Sequence, residues 1–101
     1  MGTHEYEGDP RNENVLISVN GELMPRPEAK VSVFDAGFLL GDGVWESFRL
    51  HNGTIAFADE HMDRLFRGAE SISMDIGRTR EQILDEVNRV IEANDMHDGV
   101  H

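Results

Sequence analysis

Two arginines in "FADEHMDRLFRGAES", residues 57 to 71, are the first candidates for chemistry, because cations are scarce: nine Lys and Arg stand against twenty Asp and Glu. A guanidinium is planar, stays charged at any working pH and can grip a carboxylate or phosphate through two parallel hydrogen bonds. Arg64 or Arg67 is therefore a candidate receptor for an anion. A second set lies in "VWESFRLH", residues 44 to 51. Side chains alternate along a strand, so Trp45, Ser47, Arg49 and His51 share one face while Val44, Glu46, Phe48 and Leu50 share the other, which is mostly apolar and expected on the core. An indole, a hydroxyl, a guanidinium and an imidazole on one face can form a pocket wall.

Plainer readings exist for both sets. Antiparallel sheets often keep one solvated face. On a helix, Glu60 with Arg64 and Asp63 with Arg67 stand at i,i+4 in the favourable acid-first order, each worth about 0.2 to 0.5 kcal/mol. Spacing alone leaves these alternatives open. His61 falls at the edge of the helix's apolar stripe, where a histidine usually completes a boundary. The histidines show no paired metal spacing with carboxylates, so no metal site is expected. "GDG" at 41 to 43 lacks the length and lysine of a phosphate loop and reads as a tight turn.

The elements that must position these residues are legible from turn and helix signals. Asn20-Gly21 separates "VLISV" from "ELM" and predicts a type I′ hairpin, with Pro25 and Pro27 closing it. "VSVFD" (31 to 35) reads as a third strand. The glycine-rich "AGFLLGDG" then links it to a second hairpin, 44 to 51 with "TIAF", around Asn52-Gly53. After Asp59, read as an N-cap, Met62, Leu65, Phe66, Ala69 and Ile72 or Ser73 recur at helical steps, to an end near Met74. "TREQ" predicts a capping box from Thr79 to Gln82, opening a second helix whose apolar face is Ile83, Leu84, Val87, Val90 and Ile91. The expected fold class is α+β: an antiparallel sheet with two helices packed on one face.

With 101 residues the chain can bury one modest core. Residues 1 to 14 are polar and acidic and are expected to form a flexible arm, with one domain over 15 to 101. The net charge of −11 opposes binding to nucleic acid or anionic membranes. There is no cysteine, and no apolar run approaches a membrane span, so a soluble cytoplasmic protein is expected. Lys30 is the single lysine.

The run "VSVFDAGFLLGDGVWESFRLHNGTIAFADEHMDRLFRGAESI", residues 31 to 72, resembles the N-terminal domain of class IV, fold-type IV pyridoxal-phosphate enzymes. These are branched-chain aminotransferases, D-amino-acid aminotransferases and aminodeoxychorismate lyases. The resemblance rests on D-x-G-x-x-x-G-D-G-V-[aromatic]-E at 35 to 46 and E-H-x-x-R-L at 60 to 65, in order and joined by a hairpin of the right length. It implies that Arg64 holds the phosphate of pyridoxal 5'-phosphate and that Trp45, Ser47 and Arg49 line the substrate pocket near the amino-acid carboxylate. Trp45 stands where relatives carry Phe or Tyr. Leu40 stands where branched-chain enzymes often carry a tyrosine, which leaves the substrate class open.

The resemblance also implies that the Schiff-base lysine belongs to a C-terminal domain outside these residues. Lys30 does not match it, so no catalytic residue is expected in this chain, and the 101 residues alone are expected to be inactive. "GVH" at 99 to 101 reads as the beginning of the next sheet strand. The whole enzyme would transfer an amino group between an amino acid and a 2-oxo acid and would form homodimers. The rival readings are aminodeoxychorismate lyase, or a freestanding non-catalytic acidic domain that binds an anion or a partner protein.

Overall fold

The computed structural model describes residues 10–100. Residues 1–9 of the expected arm, and His101, lie outside the described residues; Pro10–Asn12 forms a 3-10 turn. The chain forms two compact units, one through Lys30 and one from Val31 onward.

The first unit is a hairpin, β1 (Leu16–Val19) against β2 (Glu22–Pro25), with Ile17 opposite Met24 and Ser18 opposite Leu23. Asn20 and Gly21 both take positive φ, 54° and 84°. That is the geometry an Asn-Gly type I′ turn requires, and it sets the register. A 3-10 turn over Arg26–Glu28 follows, and the Arg26 guanidinium donates 3.1 Å to the Asn12 carbonyl.

The second unit opens differently from the expected strand at 31 to 35. Phe34 N–H donates to the Ser32 hydroxyl (3.0 Å) and Asp35 N–H to the Ser32 carbonyl (3.0 Å). The Asp35 carboxylate in turn caps a short helix, α1 (Ala36–Leu40), by accepting from Gly37 N–H at 2.8 Å. Short polar side chains thus occupy the backbone groups that a ladder would need. The stretch read as a glycine-rich link holds α1, which Gly41 closes in the left-handed conformation at φ 72°.

The second hairpin forms where expected but with shorter strands. β3 (Arg49–His51) pairs with β4 (Thr54–Ile55) across Asn52 and Gly53, both at positive φ, and β5 (Gly99–Val100) pairs antiparallel on the other side of β3. The two hairpins belong to separate sheets. Residues 44–48 lie outside the ladder yet keep the alternation: Phe48 and Leu50 are buried, Val44 and Glu46 half-buried, Trp45 and Arg49 exposed.

Helix α2 spans Ala58–Ser71 and buries Met62 and Ala69, with Leu65 and Phe66 half-buried. Its N-cap is Phe57, held at φ 55°, and not Asp59. The chain must reverse on leaving β4, and that left-handed residue starts the helix early. Asp59 and Glu60 then sit in the first turn, where the exposed N–H groups favour negative charge. The helix ends before the expected Met74, and Ile72 is exposed beyond it. Gly68 lets α2 approach the strand: a Cβ there would lie 3.3 Å from Val44 Cγ1.

Helix α3 (Arg80–Ala93) has the expected capping box. Gln82 N–H donates to Thr79 Oγ1 at 3.1 Å, and Thr79 N–H donates to Gln82 Oε1 at 2.9 Å. Val90 and Ile91 are buried on the predicted face. The fold class is α+β. No described helix is long and apolar enough to cross a membrane.

Candidate functional site

Three residues from two elements converge where α2 meets the inward face of the segment leading into β3. Glu46 points inward by strand parity, and its side chain is 5% exposed. His61 and Arg64, three residues apart, share the side of α2 that faces it. Arg64 Nε donates to Glu46 Oε2 at 2.9 Å, and its Nη2 donates to Oε1. His61 Nδ1 lies 2.8 Å from the same Oε1. The His61 ring also meets Phe48 edge-on, centroids 5.1 Å apart at 77°.

The charges explain the arrangement. The Arg64 guanidinium first, and the His61 hydrogen bond second, hold the Glu46 carboxyl at about 2, well below its usual 4.5. Glu46 is thus a carboxylate at any physiological pH and can only accept. His61 must therefore carry its proton on Nδ1. The 3.5 Å approach of Arg64 Nη2 to His61 Nδ1 is then two donors crowding one acceptor oxygen. Glu46 reciprocally raises the Arg64 pKa.

This overturns the expected intrahelical pairs. Arg64 bonds Glu46 and not Glu60, while Asp63 pairs with Arg80 of α3 and not Arg67. Arg80 also lies over the Phe66 ring, 4.9 Å from its centroid. An acceptor shielded from water holds a guanidinium better than a solvated one a helical turn away. Among the described residues Arg67 makes no side-chain hydrogen bond or ion pair.

Arg64 is a different kind of cation from Arg67. Its inner edge is fixed, yet its side chain is 66% exposed. Of a guanidinium's five N–H donors, Glu46 takes Nε–H and one on Nη2, leaving three directed elsewhere. Such an edge can receive a phosphate or carboxylate without releasing Glu46.

The other expected site residues are placed as follows. Trp45, Ser47 and Arg49 lie opposite Phe48 and Leu50, with Trp45 83% exposed and Ser47 half-buried. Arg49 makes no side-chain ion pair among the described residues. Leu40, at the end of α1, is exposed. The structure shows no bond from Arg64 to any of these four; the nearest link is Glu46, which also lies 3.4 Å from the Ser47 backbone N–H. Sequence reasoning placed Glu46 on the core face and His61 at a boundary but did not join them to Arg64. The available signal was a glutamate in an otherwise apolar parity set.

The chain is similar to known proteins over most of its length. The family described as "Amino-transferase class IV" matches residues 43–100. A putative branched-chain-amino-acid aminotransferase of Methanocaldococcus jannaschii is 42% identical over 83 residues, 82% of this chain and 29% of that protein. The branched-chain-amino-acid aminotransferase-like protein 1 of Arabidopsis thaliana is 40% identical over 92 residues, 91% of this chain and 17% of that one. A D-alanine aminotransferase of Staphylococcus haemolyticus is 36% identical over 83 residues, again 82% and 29%. The crystal structure of the branched-chain aminotransferase of Thermoproteus uzoniensis with norvaline superposes at a TM-score of 0.75 and 28% identity, covering 84% of this chain and 30% of that one. The chain thus spans less than a third of the length of these relatives. Over the span that carries the Glu46, His61 and Arg64 cluster, this chain belongs to the class IV aminotransferase family.

Proposed function

We propose that this chain is the N-terminal domain of a pyridoxal-phosphate-dependent aminotransferase acting on a branched-chain or D-amino acid and a 2-oxo acid. The observation that carries the reading is the anchored, outward-facing guanidinium of Arg64. Its donor set fits a phosphate: three N–H groups remain on a cation that stays charged throughout the working pH range. The cofactor, when bound, supplies the electron sink for bond breaking at the amino-acid α-carbon. This chain's part is to bind and orient. Arg64 holds the phosphate, and Trp45, Ser47 and Arg49 offer an aromatic wall, a hydroxyl and a cation for a substrate carboxylate.

Several large apolar side chains stand in solvent here, among them Phe34, Phe38, Leu40 and Trp45. Exposed apolar side chains of this size support burial against further protein, in the proposal the rest of the enzyme and a second subunit of a homodimer. No catalytic lysine is assigned: Lys30 is exposed and outside the motif. A polypeptide of these 101 residues treated with pyridoxal phosphate and borohydride is accordingly expected to give no site-specific reduced adduct.

The test is a donor panel on the full-length protein: branched-chain L-amino acids and D-alanine, each with 2-oxoglutarate, followed by product amino acid. Transfer from either class supports the proposal. Release of pyruvate from aminodeoxychorismate without amino transfer assigns the lyase reading, and cofactor-independent anion binding with neither reaction assigns the non-catalytic one.

A further inference from the structure

We propose that Glu46 is a positioning residue for Arg64, fixing the inner edge of the guanidinium so that its outer edge is set in advance for the cofactor phosphate. The proposal rests on the reading of Arg64 as the phosphate-binding residue. A carboxylate beside a phosphate site is electrostatically unfavourable taken alone, since both are anions. The geometry offsets this in three ways.

First, Glu46 engages Arg64 side-on, through Nε and Nη2, and leaves the Nη1 end untouched. The second anion approaches a different edge, so the two need not compete for the same donors. Second, an arginine on an exposed helix face samples many rotamers, and ordering it on binding costs affinity. Pairing with a side chain that is itself 5% exposed removes most of that freedom beforehand. Third, Glu46 is held in place from behind. His61 donates Nδ1–H to Oε1, and the His61 ring is seated edge-on against Phe48, which is 6% exposed. Rigidity passes from the core through Phe48, His61 and Glu46 to the exposed cation. The chain of contacts joins residues 46 and 48 of the strand segment to residues 61 and 64 of α2, so the docking of helix on strand is also what aims Arg64.

The experiment uses the full-length holoprotein and compares its affinity for pyridoxal phosphate with its affinity for pyridoxal, which lacks the phosphate. The ratio reports the phosphate grip alone, because loss of fold weakens both ligands together. Glu46→Gln keeps the side chain's shape but turns an acceptor into a donor facing donors. We expect it to lower the ratio about tenfold, the scale of one charged hydrogen-bonded contact, with pyridoxal affinity unchanged. His61→Phe, which keeps the ring edge on Phe48 and loses Nδ1–H, should lower the ratio in the same direction by about threefold. It carries the test if Glu46→Gln does not fold. In an Arg64→Ala background, neither change should lower the ratio further.

Three results would overturn the proposal, and they are distinguishable. If Arg64→Ala leaves the ratio unchanged, Arg64 does not hold the phosphate, and the reading beneath the proposal fails as well. If Arg64→Ala lowers the ratio while Glu46→Gln and His61→Phe do not, Arg64 grips the phosphate without being positioned. If Glu46→Gln raises the ratio, Glu46 is a competitor for the guanidinium and not its support.

Discussion

His61 donates Nδ1–H to Oε1 of Glu46 across 2.8 Å, although the two residues are fifteen apart in sequence and lie on different elements. The Arg64 and His61 contacts hold the Glu46 carboxyl at about 2 against its usual 4.5. A folded-state value below the unfolded one stabilises the fold above about 4.5, and that contribution disappears as pH falls from 4.5 toward 2. Glu46→Gln should therefore lower the melting temperature at pH 6 to 7, and the gap from the parent protein should narrow steadily below pH 4.5. Thermal melts of both proteins across that range check this; a gap that is constant with pH contradicts the linkage.

Arg64 and Arg67 sit one turn apart on α2, yet only Arg64 is anchored to another element. In the full-length protein Arg64→Ala should weaken cofactor retention about a hundredfold, the scale for stranding a charged group's partner. Arg67→Ala should change it by less than about 0.5 kcal/mol, as for ordinary surface charges. Equilibrium dialysis against pyridoxal phosphate measures both, and equal retention would remove Arg64 from the phosphate site and leave its bond to Glu46 a purely structural one.

Adjacent residues on opposite faces should give opposite phenotypes. Phe48→Ala removes a buried ring and its edge contact with His61, and should cost about 3 to 5 kcal/mol of stability. Ser47→Leu, on the other face, should leave the melting temperature nearly unchanged and raise KM or alter the substrate range. Chemical denaturation paired with steady-state kinetics separates the two, and a Ser47 variant that unfolds with normal KM would invert the face assignment.

The Thr79 and Gln82 capping box satisfies two N–H groups at the start of α3. Thr79→Ala should cost about 1 kcal/mol, read from urea unfolding. Thr79→Ser should recover most of it, because the hydroxyl acceptor is retained. A loss that serine does not recover would assign the effect to packing of the methyl group.

Local signals in the sequence were sufficient for several elements. Both Asn-Gly turns, the α3 capping box and the face parity of 44 to 51 follow from interactions within a few residues, and all are observed. The expected strand at 31 to 35 failed for an equally local reason: Ser32 and Asp35 use their side chains to bind the backbone and begin α1. The N-cap of α2 was missed because Phe57 is left-handed only where the chain must reverse after β4, which no propensity of phenylalanine announces.

The sequence by itself determined which residues could bear charge, which faces were apolar, and, through the spaced motifs at 35 to 46 and 60 to 65, the family to which the chain belongs. The choice of partner for each charge was made only by tertiary structure. Glu60 and Glu46 are chemically the same acceptor for Arg64, one a helical turn away and the other eighteen residues away. Docking of α2 onto the strand segment shielded Glu46 and left Glu60 exposed. Electrostatic attraction grows as water is excluded around an acceptor, so the side chain that folding shielded held the arginine.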